Sequence, residues 1–162
     1  MMQKILISSC LLGEQVKYNG GDNLIQSTLL EKWQDEERLV AVCPEMAGGL
    51  PVPRNPVEIQ QGEGADVLLG KSIALDTNNK DVTDYFIRGA YAALELAKKN
   101  DISIAILKER SPSCGSNMIY TGDFSGKLKE GKGVTARLLE QNGIRVFSED
   151  QLEAVDNILD QS

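Results

Sequence analysis

The sequence predicts a three-layer, Rossmann-like α/β fold, with a mostly parallel sheet and helices on both faces, forming one domain over residues 1–162. Three observations carry that expectation. Short apolar runs of strand type alternate with longer segments of helical period, the order that builds a parallel sheet through crossover helices. The runs are continuously apolar rather than alternating, as suits strands buried on both faces. The chain has 162 residues, 41% hydrophobic and 25% charged, enough for a single core of ordinary size.

Residues 4–9 form the first such run and predict a buried strand. Leu24, Ile25, Leu29, Leu30 and Trp33 recur near helical spacing and predict a helix over residues 24–33. Residues 39–42 read as a second short strand. Residues 43–64 are rich in Pro and Gly and exceed the usual loop limit of ~12–15 residues, which makes them a candidate functional loop. Residues 67–69 and 72–75 predict a pair of short strands around Gly70-Lys71. A helix over 81–100 places Phe86, Ala90, Ala93, Leu94 and Ala97 on one face. Asp81 or Thr83 can cap its start, and Lys98 and Lys99 suit its C-terminal dipole. Residues 103–107 predict a third strand, and 108–133 a second long, Gly-rich loop. A helix over 134–141 stops at Asn142-Gly143, and 144–147 form a fourth strand. Ser148-Glu149-Asp150-Gln151 is a capping box for a last helix with Leu152, Val155, Ile158 and Leu159 inward.

Composition narrows the chemistry. The net charge is −7, from 24 acidic and 17 basic residues, a field that disfavours duplex nucleic acid and favours a small neutral substrate. No apolar run approaches the ~18 residues of a membrane span. The N-terminal apolar stretch ends at Ser8, short of a signal peptide core of roughly 7–15 residues. A cytoplasmic protein, a monomer or weak homodimer with no membrane partner, is expected. Histidine is absent, which excludes Ser-His and Cys-His nucleophile pairs and most zinc hydrolase sites. The three cysteines are the principal soft metal ligands, and their odd number in such a chain argues against a disulfide framework.

Ligands of parallel α/β sheets bind beyond the carboxyl ends of the strands. Cys10 follows the first predicted strand, Cys43 the second, and Cys114 lies in the loop after the third. Each has Gly or Pro close by, which lets backbone turn sharply beside a ligand. The thiols read either as buried small hydrophobes or as metal ligands. For zinc, three cysteines without CxxC or histidine are a poor set. In a cuboidal iron–sulfur cluster each iron wants one outer ligand, so three thiolates leave one iron open. Glu45, two residues beyond Cys43, is either a proton-transfer group or a solvated loop acid. Ser111 either bonds a substrate or only forms the turn before Pro112. The stretch 131–135 opens a helix and can present N–H groups to an anion or a carbonyl.

The chain resembles the bacterial thiouracil desulfidase family, iron–sulfur dependent and formerly a domain of unknown function. The motifs that carry the resemblance run nearly end to end. They are Ser9-Cys10-Leu11-Leu12-Gly13, then Val42-Cys43-Pro44-Glu45 leading into Ala47-Gly48-Gly49-Leu50-Pro51-Val52-Pro53-Arg54. Leu107-Lys108-Glu109-Arg110-Ser111-Pro112-Ser113-Cys114-Gly115 follows, then Gly133-Val134-Thr135-Ala136 and Gly143-Ile144-Arg145-Val146-Phe147-Ser148-Glu149. Lys17-Tyr18-Asn19-Gly20 departs from the pattern, which carries Arg and Asp around that Tyr. The resemblance implies a 4Fe–4S cluster on Cys10, Cys43 and Cys114 with one open iron. It implies that Glu45 transfers protons and that Ser111 assists. The implied reaction is non-redox desulfuration of a thiolated pyrimidine such as 2-thiouracil, or a related base or nucleoside, to the oxo base and sulfide. The rival reading is a non-catalytic iron–sulfur or metal-binding module of redox-sensing type, which gives Glu45 and Ser111 no task.

Overall fold

The computed structural model describes residues 3–160. Four parallel strands form the central sheet: β1 (Ile5–Ser8), β2 (Leu39–Val42), β5 (Ile104–Leu107) and β8 (Arg145–Ser148), in the order β2-β1-β5-β8. The register pairs Ile5 with Leu39 on one side and Ile104 on the other, and Ile104 with Arg145. Side chains alternate across the pleat. Ile5, Ile7, Ile104 and Ile106 therefore face one layer, and Leu6, Ala105 and Leu107 the other.

Helices α1 (Thr28–Asp35) and α6 (Leu152–Asp160) cover the first face through Leu30, Trp33, Val155 and Leu159. The second face is covered by α4 (Thr83–Lys99), through Phe86, Ala90 and Ala93, and by α5 (Val134–Gln141), through Ala136, Leu138 and Leu139. Each fully buried Leu or Ile in these layers contributes about 1.5–3 kcal/mol. The expected three-layer α/β architecture is present. Among the described residues, no helix is long and apolar enough to cross a membrane.

Both long loops contain structure that the sequence reading left out. In the first lie α2 (Pro44–Ala47) and β3 (Val57–Gln60). Strand β3 pairs antiparallel with β4 (Ile73–Asp76), Val57 opposite Asp76. The expected strand at 67–69 is instead the end of a helix, α3 (Gly64–Leu68). A capping box decides it: Glu63 and Asp66 exchange side-chain and backbone bonds, and Glu63 N donates to Asp66 Oδ2 at 2.9 Å. That closes a helical first turn before the apolar residues arrive. The second loop holds the antiparallel hairpin β6 (Met118–Tyr120) and β7 (Leu128–Glu130). Helix α1 begins at Thr28 rather than near 24, because Ser27 Oγ accepts from Leu29 N and Leu30 N. The N-cap of α4 is Val82 rather than the expected Asp81 or Thr83, and Asp81, one residue earlier, supports the start by accepting from Thr83 N at 2.9 Å.

Candidate active site

Chain order takes β1 to β2 on one side and then crosses back to β5 on the other, so the sheet reverses direction between β1 and β5. The crevice beyond that switch point is where such sheets bind ligands. A cavity of about 420 Å³ opens there, and its walls include Cys10, Cys43, Cys114, Glu45 and Ser111. The three cysteines, Glu45 and Ser111 expected from the sequence all line this one cleft, whereas residues 131–135 do not. The cysteines are free thiols.

Cys10 lies in a 3-10 turn, Ser9–Leu12, directly after β1. Its carbonyl accepts from Gly13 N and Asn23 N, which folds the following loop back over it. Cys43 is the N-cap of α2, in extended conformation, with Pro44 at the first helical position. Helix α2 is pressed against α4 so closely that a Cβ on Gly89 would stand 2.0 Å from the Pro44 carbonyl oxygen. Only glycine allows that approach, and it anchors the segment carrying Cys43 and Glu45.

Cys114 is buried in a turn that Ser111 builds, with Ser111 Oγ accepting from Ser113 N and Cys114 N, both at 3.1 Å. The turn-forming role of Ser111 is therefore real. Its hydroxyl proton enters no hydrogen bond among the described residues and stays available to donate. Helix α5 starts on the same turn: Val134 N donates to Pro112 O at 2.9 Å and Thr135 N to Ser113 O at 2.8 Å. Of the N–H groups in 131–135 expected to meet an anion or a carbonyl, those of Gly131, Gly133, Val134 and Thr135 are thus spent on the carbonyls of Asn117, Gly115, Pro112 and Ser113. Gly133 packs on that turn, where a Cβ would lie 2.4 Å from the Ser113 carbonyl.

Burial pushes all three thiols above the ordinary cysteine range, because the thiolate would lose its water. Around Cys10 an Asn23 hydrogen bond and the Lys108 charge oppose this, while Cys43 and Glu149 add to it. At Cys43 the N–H groups of Met46 and Glu45, at the open end of α2, pull the other way. Cys114 is raised furthest; Ser8 opposes the shift, and the charges of Glu45, Cys10 and Cys43 add to it. Cys10 thus senses Cys43, and Cys114 senses both of the others. Among the described residues no three Cys, Asp or Glu side chains gather tightly enough for a single metal ion.

Two carboxylates that the sequence reading left without partners organise the walls. Glu45 Oε2 receives Arg54 Nε at 2.7 Å and Arg54 Nη2 at 2.6 Å. Glu109 accepts from four backbone N–H groups and two side chains of the Cys114 loop. Burial pushes its carboxyl up, but the N–H groups of Asn117, Met118 and Arg110 and the Asn117 amide outweigh that and hold it below the usual carboxylate range. Glu149 does not line the cavity but holds two residues that do, taking Lys108 Nζ at 2.7 Å and Glu109 N at 2.7 Å. The only sequence signal for these pairings was their position inside the long motifs.

Fold and cleft together define a Rossmann-like α/β protein with a thiol-walled site at the switch point of its sheet. Residues 5–151 match the 2-thiouracil desulfurase family, and the chain belongs to that family. It is 47% identical over 151 residues to the Bacillus subtilis protein YbbK, covering 93% of this chain and 99% of that one. Its fold is also that of the 4Fe–4S-dependent thiouracil desulfidase TudS, at TM-score 0.90 and 45% identity over 99% of each chain.

A 4Fe–4S cluster suits this donor set on two grounds. A cluster spreads its thiolates over several irons, so they stand wider apart than around one ion. The wall also holds an orphan: Ser9 lines the cleft, is 2% exposed, and its Oγ has no hydrogen-bond partner among the described residues. A buried hydroxyl in that state needs an acceptor from outside the protein.

Proposed function

We propose that this chain desulfurates a thiolated pyrimidine such as 2-thiouracil, with Cys10, Cys43 and Cys114 holding a 4Fe–4S cluster. The carrying observation is that these three thiols, Glu45 and Ser111 share one cavity. When bound, such a cluster supplies an open iron as a Lewis acid matched to a soft thiocarbonyl sulfur. The chain's own groups do the rest. Overall, water adds its oxygen to the thiocarbonyl carbon, the C=S bond is lost, and the products are the oxo base and sulfide, with no net change of oxidation state. Glu45 accepts the proton of the attacking water on Oε1, the oxygen Arg54 leaves free, and returns it to the departing sulfur. Ser111 donates its unused hydroxyl proton to the base and holds it in place. The cavity of about 420 Å³ lies in the size range of small-ligand pockets and admits a base or nucleoside.

Anaerobic reconstitution with iron and sulfide, followed by a 2-thiouracil assay, tests this reading. Wild type is expected to bind about four irons per chain, the number in one cluster, and to release sulfide. Cys114→Ala is expected to do neither. A fully loaded wild type that releases no sulfide from any thiolated pyrimidine supports the non-catalytic module instead.

A further inference from the structure

We propose that Arg54 is the positioning residue for Glu45: its guanidinium locks Oε2 and leaves Oε1 as the one oxygen free to exchange protons. The inference rests on the proton-transfer reading of Glu45 and extends it to a residue outside the reacting groups.

The geometry is unusual for an ordinary ion pair. Both the Nε and Nη2 groups of Arg54 converge on the same oxygen, at 2.7 and 2.6 Å, instead of spanning the two carboxylate oxygens. The common side-by-side pairing would occupy both. Here Oε1 takes no hydrogen bond among the described residues. The guanidinium is itself held independently of Glu45. Nη2 donates to the Val16 carbonyl at 3.0 Å, in the loop after the Cys10 turn, and Nη1 to the Pro51 carbonyl at 3.2 Å, beyond α2. The Arg54 side chain is only 7% exposed, so water does not compete strongly for these donors.

Glutamate has three rotatable bonds, and one near a cleft would otherwise sample many orientations. A planar fork tied to two backbone segments removes that freedom. Lysine, a point charge on a flexible stem, cannot reach Oε2, Val16 O and Pro51 O in the same fixed plane. The Val16 carbonyl also accepts the Cys43 thiol at 4.0 Å. Arg54 thus ties a cysteine-bearing loop and the glutamate to one anchor.

The test uses anaerobically reconstituted full chain, with 2-thiouracil turnover expressed per loaded cluster. The variants are Arg54→Gln, Arg54→Lys, Glu45→Gln and the double Arg54→Gln/Glu45→Gln. Arg54→Gln is expected to lower kcat by about tenfold or more while KM stays within about twofold, since orientation and not binding is lost. Arg54→Lys should recover only part of the rate. The double variant should be no slower than Glu45→Gln alone, because a residue acting only through Glu45 has nothing left to position. Wild-type kcat in Arg54→Gln overturns the inference. So do losses that multiply in the double variant, or a rate loss that vanishes after correction for bound iron. If Arg54→Gln fails to load, Arg54→Lys decides by the same kcat-against-KM criterion. A Glu45→Gln protein with full turnover defeats the parent reading, whereas a slow Glu45→Gln beside a full-speed Arg54→Gln defeats this inference alone.

Discussion

Glu109→Gln changes one atom and one charge in a side chain that receives six hydrogen bonds. Oε1 accepts from the backbone of Arg110, Ser116, Asn117 and Met118 at 3.0–3.2 Å, and Oε2 from Ser116 Oγ and Asn117 Nδ2. Bonds to a carboxylate contribute about 1.5–3 kcal/mol each, against about 0.5–1.5 for bonds to a neutral acceptor. Four backbone donors would therefore lose about 1 kcal/mol apiece. Arg110 and Asn117 are exposed and recover part of it from water, whereas Ser116 and Met118 are not. The new amide nitrogen also cannot accept from Asn117 Nδ2. The net expectation is a loss of about 2–3 kcal/mol in the apo protein, read by urea unfolding at neutral pH with an unchanged slope.

The same residue sets an acid dependence. Its folded pKa lies below the ordinary value, so its stabilisation is complete above the unfolded carboxylate range and disappears as pH falls through the folded value. Wild type should lose stability over that acidic window more steeply than Glu109→Gln. A change of less than about 0.5 kcal/mol at neutral pH, the usual scatter of uninvolved surface positions, would refute the assignment of Glu109 as the organiser of the Cys114 loop.

Gly133→Ala places a Cβ 2.4 Å from the Ser113 carbonyl and 2.8 Å from Cys114 N; backbone cannot swing aside, so a loss at the upper end of about 1–3 kcal/mol is expected, with lower iron uptake by the reconstituted chain. Unchanged unfolding and iron content would contradict that packing. Ser9→Ala removes a buried hydroxyl that has no partner among the described residues and should raise apo stability by about 1 kcal/mol; a destabilised variant in the same urea assay would show that Oγ is bonded within the protein.

Much of the fold could be read locally. Continuous apolar runs marked β1, β2, β5 and β8, and a polar cap or an Asn-Gly stop marked one end each of α4, α5 and α6, because burial and capping each act over a few residues. The error at Val67, Leu68 and Leu69 arose where an apolar run looked the same for strand and helix, and the Glu63–Asp66 cap decided between them. Strand β4 was expected at 72–75 but with the wrong partner; its true partner β3 and the hairpin β6–β7 were missed because their pairing depends on partners distant in the chain or on strands of only three residues. Ser111 was legible as a turn former, and it is one, yet its unused proton became visible only with the turn in place.

By itself the sequence determined that three thiols would each follow a sheet strand, that no histidine would share the work, and that the motifs belong to one family. Only the tertiary structure decided that the reversal between β1 and β5 brings those strand ends to a common crevice, and that Glu45 meets Arg54 while Glu109 gathers the Cys114 loop. The physical reason is range. Periodicity and capping are properties of neighbouring residues, whereas the partner of a charge is whichever donor the packed layers deliver to it.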